Sequence, residues 1–371
     1  MATSILGLDI GGANLKAATA DKRAVSVPFP LWKQPDKLPT ALAELVAKFP
    51  DVEELAVTMT GELCDCFETK RDGVHAIIAA VRRASGGRAI NVWSTDGAFL
   101  NSEEAKQNHM KVAAANWHAL ATFAGQYVPK GRAILVDVGS TTTDIIPIMD
   151  GKPVPVGKTD YDRLFSGELV YTGVRRTPVC AILPWLTAAE LFATTLDVYV
   201  MLGNIPEDPN DHDTADSRPA TRKYAAARLA RMCGADLETI PTDITDTLVQ
   251  GARDSQLARL RECIADVSGF LKARQAGAAP ERATPQWSLT NFLARVGVFR
   301  RRVLDRELAA RLAELTPSED VAYIVSGSGE FLAQQAIGAP HHTSLNDTLG
   351  PDASACAPAY AVAVLATERR R

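Results

Sequence analysis

Residues 5–21, ILGLDIGGANLKAATAD, and residues 134–150, ILVDVGSTTTDIIPIMD, decide the reading of this chain because they share one pattern. An aliphatic run (5–8 and 134–136) is followed by Asp-x-Gly, a small polar turn and a second half-apolar run. Such runs suit central strands covered on both faces. Gly11, Gly12 and Gly139 are expected to permit a positive-φ reversal. They would also leave backbone N–H groups uncovered as an anion nest. Asn14 and Lys16 in the first copy, and Ser140, Thr141, Thr142 and Thr143 in the second, complete two candidate phosphate-binding hairpins. An aspartate beside such a nest would repel a bare phosphate, so Asp9 and Asp137 imply a cation, and they are the candidate metal ligands. Mg²⁺ suits the pair, because it takes one or two carboxylates plus phosphate oxygens. Asp144, closing the second hairpin, could aim at the same ion. One copy alone would fit an ordinary hairpin; two matched copies point to related lobes facing one phosphate-bearing ligand.

The 371 residues exceed one small core and suggest two or three domains. A net charge of −4 gives no field for nucleic acid or an anionic membrane. No apolar run approaches membrane-spanning length and no leader pattern precedes the first strand, so a cytoplasmic location is expected. Six cysteines lack metal-ligand spacing and read as reduced thiols. His341–His342 is adjacent in sequence and for that reason a poor ligand pair.

Periodicity predicts a helix over 38–49 with Leu38, Leu42, Leu45 and Val46 on one face, and strands over 54–59 and 89–93. A long Ala-rich helix is expected over 103–123, with Pro129 closing that region. Residues 204–222 are polar, acidic and Pro-rich, a loop of the length often used as a lid. Helical spacing runs through 223–235, 243–272 and 289–315, and Arg300 to Arg302 read as a solvated face. Near the C-terminus a strand over 321–325 leads into Ser326-Gly327-Ser328-Gly329 and a helix from Glu330. Free N–H groups at that helix start make a third phosphate-type turn.

The order of the three turns resembles the actin-like ATPase and sugar-kinase superfamily. The resemblance implies an α/β fold of two duplicated ribonuclease H-like domains, each with a five-stranded mixed sheet and a ligand cleft between the lobes. The expected division is 1–130 and 131–371, with an inserted helical and loop region at about 185–315. Residues 59–65 (MTGELCD), 113–117 (AAANW), 136–144 (VDVGSTTTD) and 167–178 (GELVYTGVRRTP) are more specific. They resemble the hydantoinase/oxoprolinase-like family linked to tetrahydromethanopterin-dependent one-carbon metabolism. That family's pattern often has Gly where this chain has Ser217.

The resemblance implies a transferase of methanofuran or methylofuran assembly. Such an enzyme joins an aminomethyl-furanmethanol diphosphate to a tyramine- or tyrosine-type phenol, forming an ether and releasing diphosphate. Under this reading the hairpins hold the leaving group with Mg²⁺ and ATP is not expected. The partners are small-molecule substrates, with a second copy of the chain left open. A phenol titrates near ~10, so a base is useful, and Glu62, Asp65 and Asp96 at strand ends are the candidates. Their plain alternatives are helix capping and Asx turns. Arg175 and Arg176, with Glu168, Tyr171 and Thr177, could grip a phosphate or carboxylate in bidentate fashion, or form an internal salt bridge. Asp213, Asp216 and Arg218 could touch substrate from their loop. Asn116 and Trp117 read as packing or substrate groups. Two further classes stay open: an ATP-dependent kinase or hydantoinase-like amidohydrolase, and a nucleotide-gated structural protein. Phe331 is compatible with filling the space an adenosine would need.

Overall fold

The computed structural model describes residues 4–277 and 320–370. Residues 289–315 of the sequence reading, with Arg300 to Arg302, lie outside them. The first sheet has the order β3-β2-β1-β4-β5-β6. Its strands are β1 (Ile5–Ile10), β2 (Asn14–Thr19), β3 (Ala24–Pro28), β4 (Glu54–Met59), β5 (Ala89–Trp93) and β6 (Phe99–Leu100). β1, β4 and β5 run parallel, while β1–β2, β2–β3 and β5–β6 are antiparallel. Five strands were expected here. The sixth arises because the turn after Trp93 closes through Ser94 N–H on Ala98 C=O at 3.0 Å, with Gly97 at φ +76, and folds the chain back on β5.

Every residue of β1 and β4 is buried, as their continuous aliphatic runs require. The helix Leu38–Ala47 covers them with Leu38, Leu42, Leu45 and Val46, the four residues of the periodic face. The C-terminal helix Ala357–Glu368 also packs on this sheet. It approaches so closely that a Cβ on Gly7 would fall 1.8 Å from Ala359 C=O.

The second sheet has the order β10-β8-β7-β11-β12, with β9 beside β8. Its strands are β7 (Arg132–Val138), β8 (Thr143–Met149), β9 (Lys152–Pro153), β10 (Leu169–Val170), β11 (Ala322–Ser326) and β12 (Thr343–Ser344). The chain divides into two compact units: Met1–Leu135, Ile146–Ser166 and His342–Arg371 form one, and Val136–Ile145 with Gly167–His341 the other. The division therefore falls inside β7, five residues after the boundary read from sequence, and the chain returns to the first unit twice. In the second unit the helices Val179–Ile182, Thr195–Leu202, Arg222–Met232 and Thr242–Gln275 bury Val179, Val198, Leu229, Leu248 and Ala252 together. Among the described residues no helix is long and apolar enough to cross a membrane.

The continuous helix expected over 103–123 is broken into Ser102–Gln107, His109–Val112 and Asn116–Ala124. Two local bonds withdraw backbone from it. Asn108 turns its side-chain amide onto Glu104 C=O, and Lys111 C=O accepts from Thr95 N–H at 2.8 Å. Ala114 then takes the left-handed conformation, φ +47, before the last segment starts.

Candidate functional site

At the first hairpin β1 pairs with β2 so that Asp9 stands opposite Lys16. The turn closes by Gly11 N–H donating to Asn14 C=O at 3.0 Å, and the second hairpin closes alike, Gly139 N–H to Thr142 C=O at 2.8 Å. The leading N–H of each turn is thereby consumed, which leaves the N–H groups that follow as the candidate anion donors. Gly11, Gly12 and Gly139 also lack the positive φ expected of them. The requirement at Gly12 is space, since a Cβ there would lie 2.7 Å from Cys64 Sγ.

Asp9 is 6% exposed, and its Oδ1 has no hydrogen-bond partner among the described residues. Burial pushes its carboxyl up to about 6, against the pull of Lys16. An orphaned buried carboxylate oxygen is costly unless a proton or cation completes it. Asp9 thus fits Mg²⁺ by its donor chemistry. Asp137 is half-buried at the end of β7. Among the described residues no group of three or more His, Cys, Asp and Glu is arranged to hold a metal ion.

The loop after β4 is laid on the first hairpin. Thr60 and Gly61 both donate backbone N–H to Ile10 C=O at 3.0 Å, and a Cβ on Gly61 would fall 3.2 Å from that oxygen. Glu62 comes next and is 1% exposed, with Oε2 unpartnered among the described residues. Burial raises its carboxyl to about 7, against the lowering effect of nearby backbone N–H groups and of Lys70. Gly73, in the helix Lys70–Ala84, packs on the Glu62 backbone so tightly that a Cβ would sit 2.1 Å from its carbonyl oxygen. A lone Gly inside that helix was the signal of close approach that sequence reading passed over.

The two other base candidates are placed differently. Asp65 is exposed. Asp96 is bound by Lys111 at 2.8 Å and Lys158 at 2.9 Å, and these cations hold its carboxyl down at about 2. A carboxylate so stabilised is a poor proton acceptor, which removes Asp96 from that role. Trp117 is buried beneath the guanidinium of Arg163, 4.0 Å from its ring centroid, so it packs as one of its two readings required.

The 167–178 signature is built onto the second hairpin. Val174 N–H donates to Gly139 C=O at 3.1 Å, while Arg175 and Arg176 N–H both donate to Ser140 C=O at 3.0 and 2.9 Å. Ser140 and Thr141 bring their hydroxyls within 3.4 Å, and Thr142 is half-buried. Thr143 points inward, its hydroxyl donating to Thr172 C=O at 2.8 Å, so it is structural rather than a phosphate ligand. Asp144 lies opposite Leu169 and is buried, as is Glu168, whose carbonyl accepts from Ile145 N–H. Tyr171 is 68% exposed. Behind the loop, Gln256 donates to Thr172 Oγ1 at 2.7 Å and Gly173 C=O at 3.0 Å, and accepts from Tyr199 at 2.7 Å. No motif announced this network, because Gln256 meets its partners only through the fold.

The arginine pair is internally satisfied. Arg175 Nη2 lies 2.7 and 2.5 Å from the two oxygens of Asp211, and Arg176 Nη2 lies 3.3 Å from Asp213. Asp216 is tied to the fully buried Arg228 at 2.8 Å, beside Asp197 at 2.7 Å, and Arg218 lies 3.9 Å from Asp216. The arrangement matches the internal salt-bridge reading, with the loop acids engaged by the arginines.

The third turn packs against the end of β7. Gly327 has φ +92, and a Cβ on it would fall 2.2 Å from Val138 C=O and 2.7 Å from Asp137 Oδ1. Gly329 N–H donates to that same carbonyl at 2.8 Å. Ser326 is buried with its hydroxyl unpartnered among the described residues, and Ser328 is exposed. Phe331 packs edge-on against Tyr199 at 5.0 Å.

Two mixed sheets, the first in the order 3-2-1-4-5 with β1, β4 and β5 parallel, and an Asp-x-Gly hairpin leading each, define an α/β protein of the actin-like ATPase class. A family model described as hydantoinase/oxoprolinase matches residues 53–369, and the chain belongs to that family. It is 34% identical, over 98% of its own length and 98% of the relative's, to a Methanocaldococcus jannaschii protein named (4-{4-[2-(gamma-L-glutamylamino)ethyl]phenoxymethyl}furan-2-yl)methanamine synthase. A Methanococcus vannielii protein of the same name is 39% identical over 33% of this chain and 58% of its own. Among solved structures, nucleotide-free acetone carboxylase is similar with TM-score 0.48 at 10% identity, covering 98% of this chain and 70% of that one. An archaeal actin homologue in complex with ADP is similar with TM-score 0.41 at 14% identity, covering 98% and 99%.

Proposed function

We propose that this chain is a transferase of methanofuran-type cofactor assembly, joining a furan-methyl diphosphate to a tyramine- or tyrosine-type phenol. The observation that carries the reading is end-to-end similarity to a relative whose named product is a phenoxymethyl-furan. In that product a phenol oxygen is bonded to the methylene on the ring, so an ether is the bond to be made. The electron-rich furan stabilises positive charge on the methylene, and diphosphate departs with the bonding pair. What the protein must supply is a preorganised hold on the leaving charge.

The residues fit that task. Asp9, with its orphaned buried oxygen, is the candidate holder of Mg²⁺ at the first hairpin and Asp137 the candidate at the second, and the chemistry the ion would supply is to neutralise the departing diphosphate. Backbone after Gly11 and Gly139, the hydroxyls of Ser140 and Thr141, and Lys16 offer donors to phosphate oxygens.

The test incubates the purified full chain and Mg²⁺ with synthetic furan-methylamine diphosphate and, in turn, tyramine, tyrosine and γ-glutamyltyramine. Mass spectrometry is expected to show an ether product and released diphosphate in equal amounts. Absence of ether with all three acceptors, or tight MgATP binding with turnover on a small acceptor, sinks the reading.

A further inference from the structure

We propose that Glu62 accepts the phenolic proton as the ether bond forms. This inference rests on the transferase reading above. Three observations converge on Glu62. Its Oε2 is buried and unpartnered among the described residues, so a group from outside the chain, or a proton, must complete it. The backbone N–H of Ala114 lies near the carboxyl and favours its ionised form, and Ala114 adopts a left-handed backbone, φ +47, that side chains seldom take. Such local strain persists where the surroundings enforce it, and here it falls between the helices His109–Val112 and Asn116–Ala124. Gly73 allows a helix to clamp the Glu62 backbone from behind. The loop 60–62, laid on the first hairpin, and Gly73 behind it thus fix the backbone that carries this carboxyl beside the first phosphate hairpin.

The titratable groups facing it are Lys70 from the helix Lys70–Ala84, Asp160 from the helix Asp160–Ser166, and the Cys64 thiol two residues on, which burial pushes up to about 11. Burial outweighs them and brings the carboxyl to about 7, the range in which a base takes a proton and later gives it up. Leu63, the next residue in the chain, is 62% exposed. The step balances without a co-reactant. The phenol O–H bond breaks and its proton passes to Glu62. The oxygen lone pair forms the bond to the methylene carbon, the carbon–oxygen bond to diphosphate breaks, and its pair leaves with diphosphate. Glu62 then returns the proton to water.

The experiment compares wild type, Glu62→Gln and Glu62→Asp with tyramine and with ring-fluorinated tyramines of lower phenol pKa. Wild-type kcat/KM is expected to fall as pH drops through about 7. Glu62→Gln should lose ~10²–10⁴-fold with tyramine, lose that acid limb, and regain most of the rate with the most acidic phenol, which ionises without help. That rescue also reports a folded variant, and Glu62→Asp should fall between the two. The assignment is overturned if wild type makes ether while Glu62→Gln keeps its rate and pH profile. It is equally overturned if the variant is impaired to the same degree with every phenol, the mark of a structural role. If wild type makes no ether with any acceptor, the transferase reading fails and takes this assignment with it, a result distinct from the other two.

Discussion

At the first hairpin Lys16 stands across the strands from Asp9, whereas at the second the residue at the same count from Asp137 is another carboxylate, Asp144. Both turns close through a glycine N–H onto the carbonyl three residues later. Their walls differ in kind. The first is walled by the loop 60–65, whose nearest obstacle to Gly12 is the tip of Cys64. The second is walled by backbone: Gly173 lies where a Cβ would meet Gly139 C=O at 2.5 Å and Thr141 N at 2.6 Å. The repeat in the sequence sets the turn and the aspartate; segments far away in the chain set the charge around it and the tolerance to change.

The sharpest way to break the comparison is to remove the shared element. Asp9→Ala and Asp137→Ala are each expected to lower kcat by ~10³-fold or more, with far-UV circular dichroism unchanged. If Asp137→Ala keeps near-normal activity, the hairpins are alike in shape only and the cation assignment at the second is wrong.

The walls are separated by a pair of glycine substitutions. Gly173→Ala must displace backbone on both sides and is expected to cost roughly 2–3 kcal/mol. No truncation of a neighbouring side chain should restore it. Gly12→Ala meets a sulfur atom only 2.7 Å away, and should cost roughly 1–2 kcal/mol. Adding Cys64→Ala opens that space, so the double variant should recover most of the loss in a urea double-mutant cycle. Strict additivity of the two single changes would show that Gly12 is required for another reason.

How much of this was legible follows the range of the interactions. The strands 54–59 and 89–93, the buried face of 38–49 and the Glu330 helix start could be read because strand and helix periods are local. The Asp-x-Gly hairpins were legible for the same reason, yet the φ assigned to their glycines was wrong, because a glycine kept for space looks the same as one kept for a turn. Asp96 looked like a base until Lys111 and Lys158 were found on it, two partners far apart in sequence from each other. Arg175 and Arg176 looked like ligand anchors until Asp211 and Asp213 were found there. The break before Asn116 lay inside an Ala-rich run of high helix propensity, where the bond from Thr95 N–H to Lys111 C=O, a tertiary contact, overrides propensity.

A smaller effect is expected from the feature the hairpins do not share. Lys16→Met should raise KM for the furan diphosphate about tenfold, the loss of one charge-assisted contact, with kcat little changed. An unchanged KM would confine Lys16 to the neighbourhood of Asp9. A fall in kcat alone would instead show that its contact tightens only as charge develops on the leaving group.

The smallest effect lies in the outer support of the second hairpin. Residues 208–218 carry Asp211 and Asp213 onto the arginines, and within them Ser217 has φ +57, a left-handed conformation without glycine. The backbone bonds that hold it there, Ser217 N–H to Thr214 C=O at 3.2 Å and Ser217 C=O to the His212 ring at 2.9 Å, need no side chain. Ser217→Gly keeps both and relieves a strain of roughly 1–2 kcal/mol, partly offset by the freer unfolded chain that glycine brings. A net gain of about 0.5–1 kcal/mol is therefore expected, read as a higher urea midpoint at constant slope, with kcat and KM unchanged. A loss of stability would show that the serine side chain, not the backbone, holds this turn, and that the support of Arg175 and Arg176 is tighter than its geometry implies.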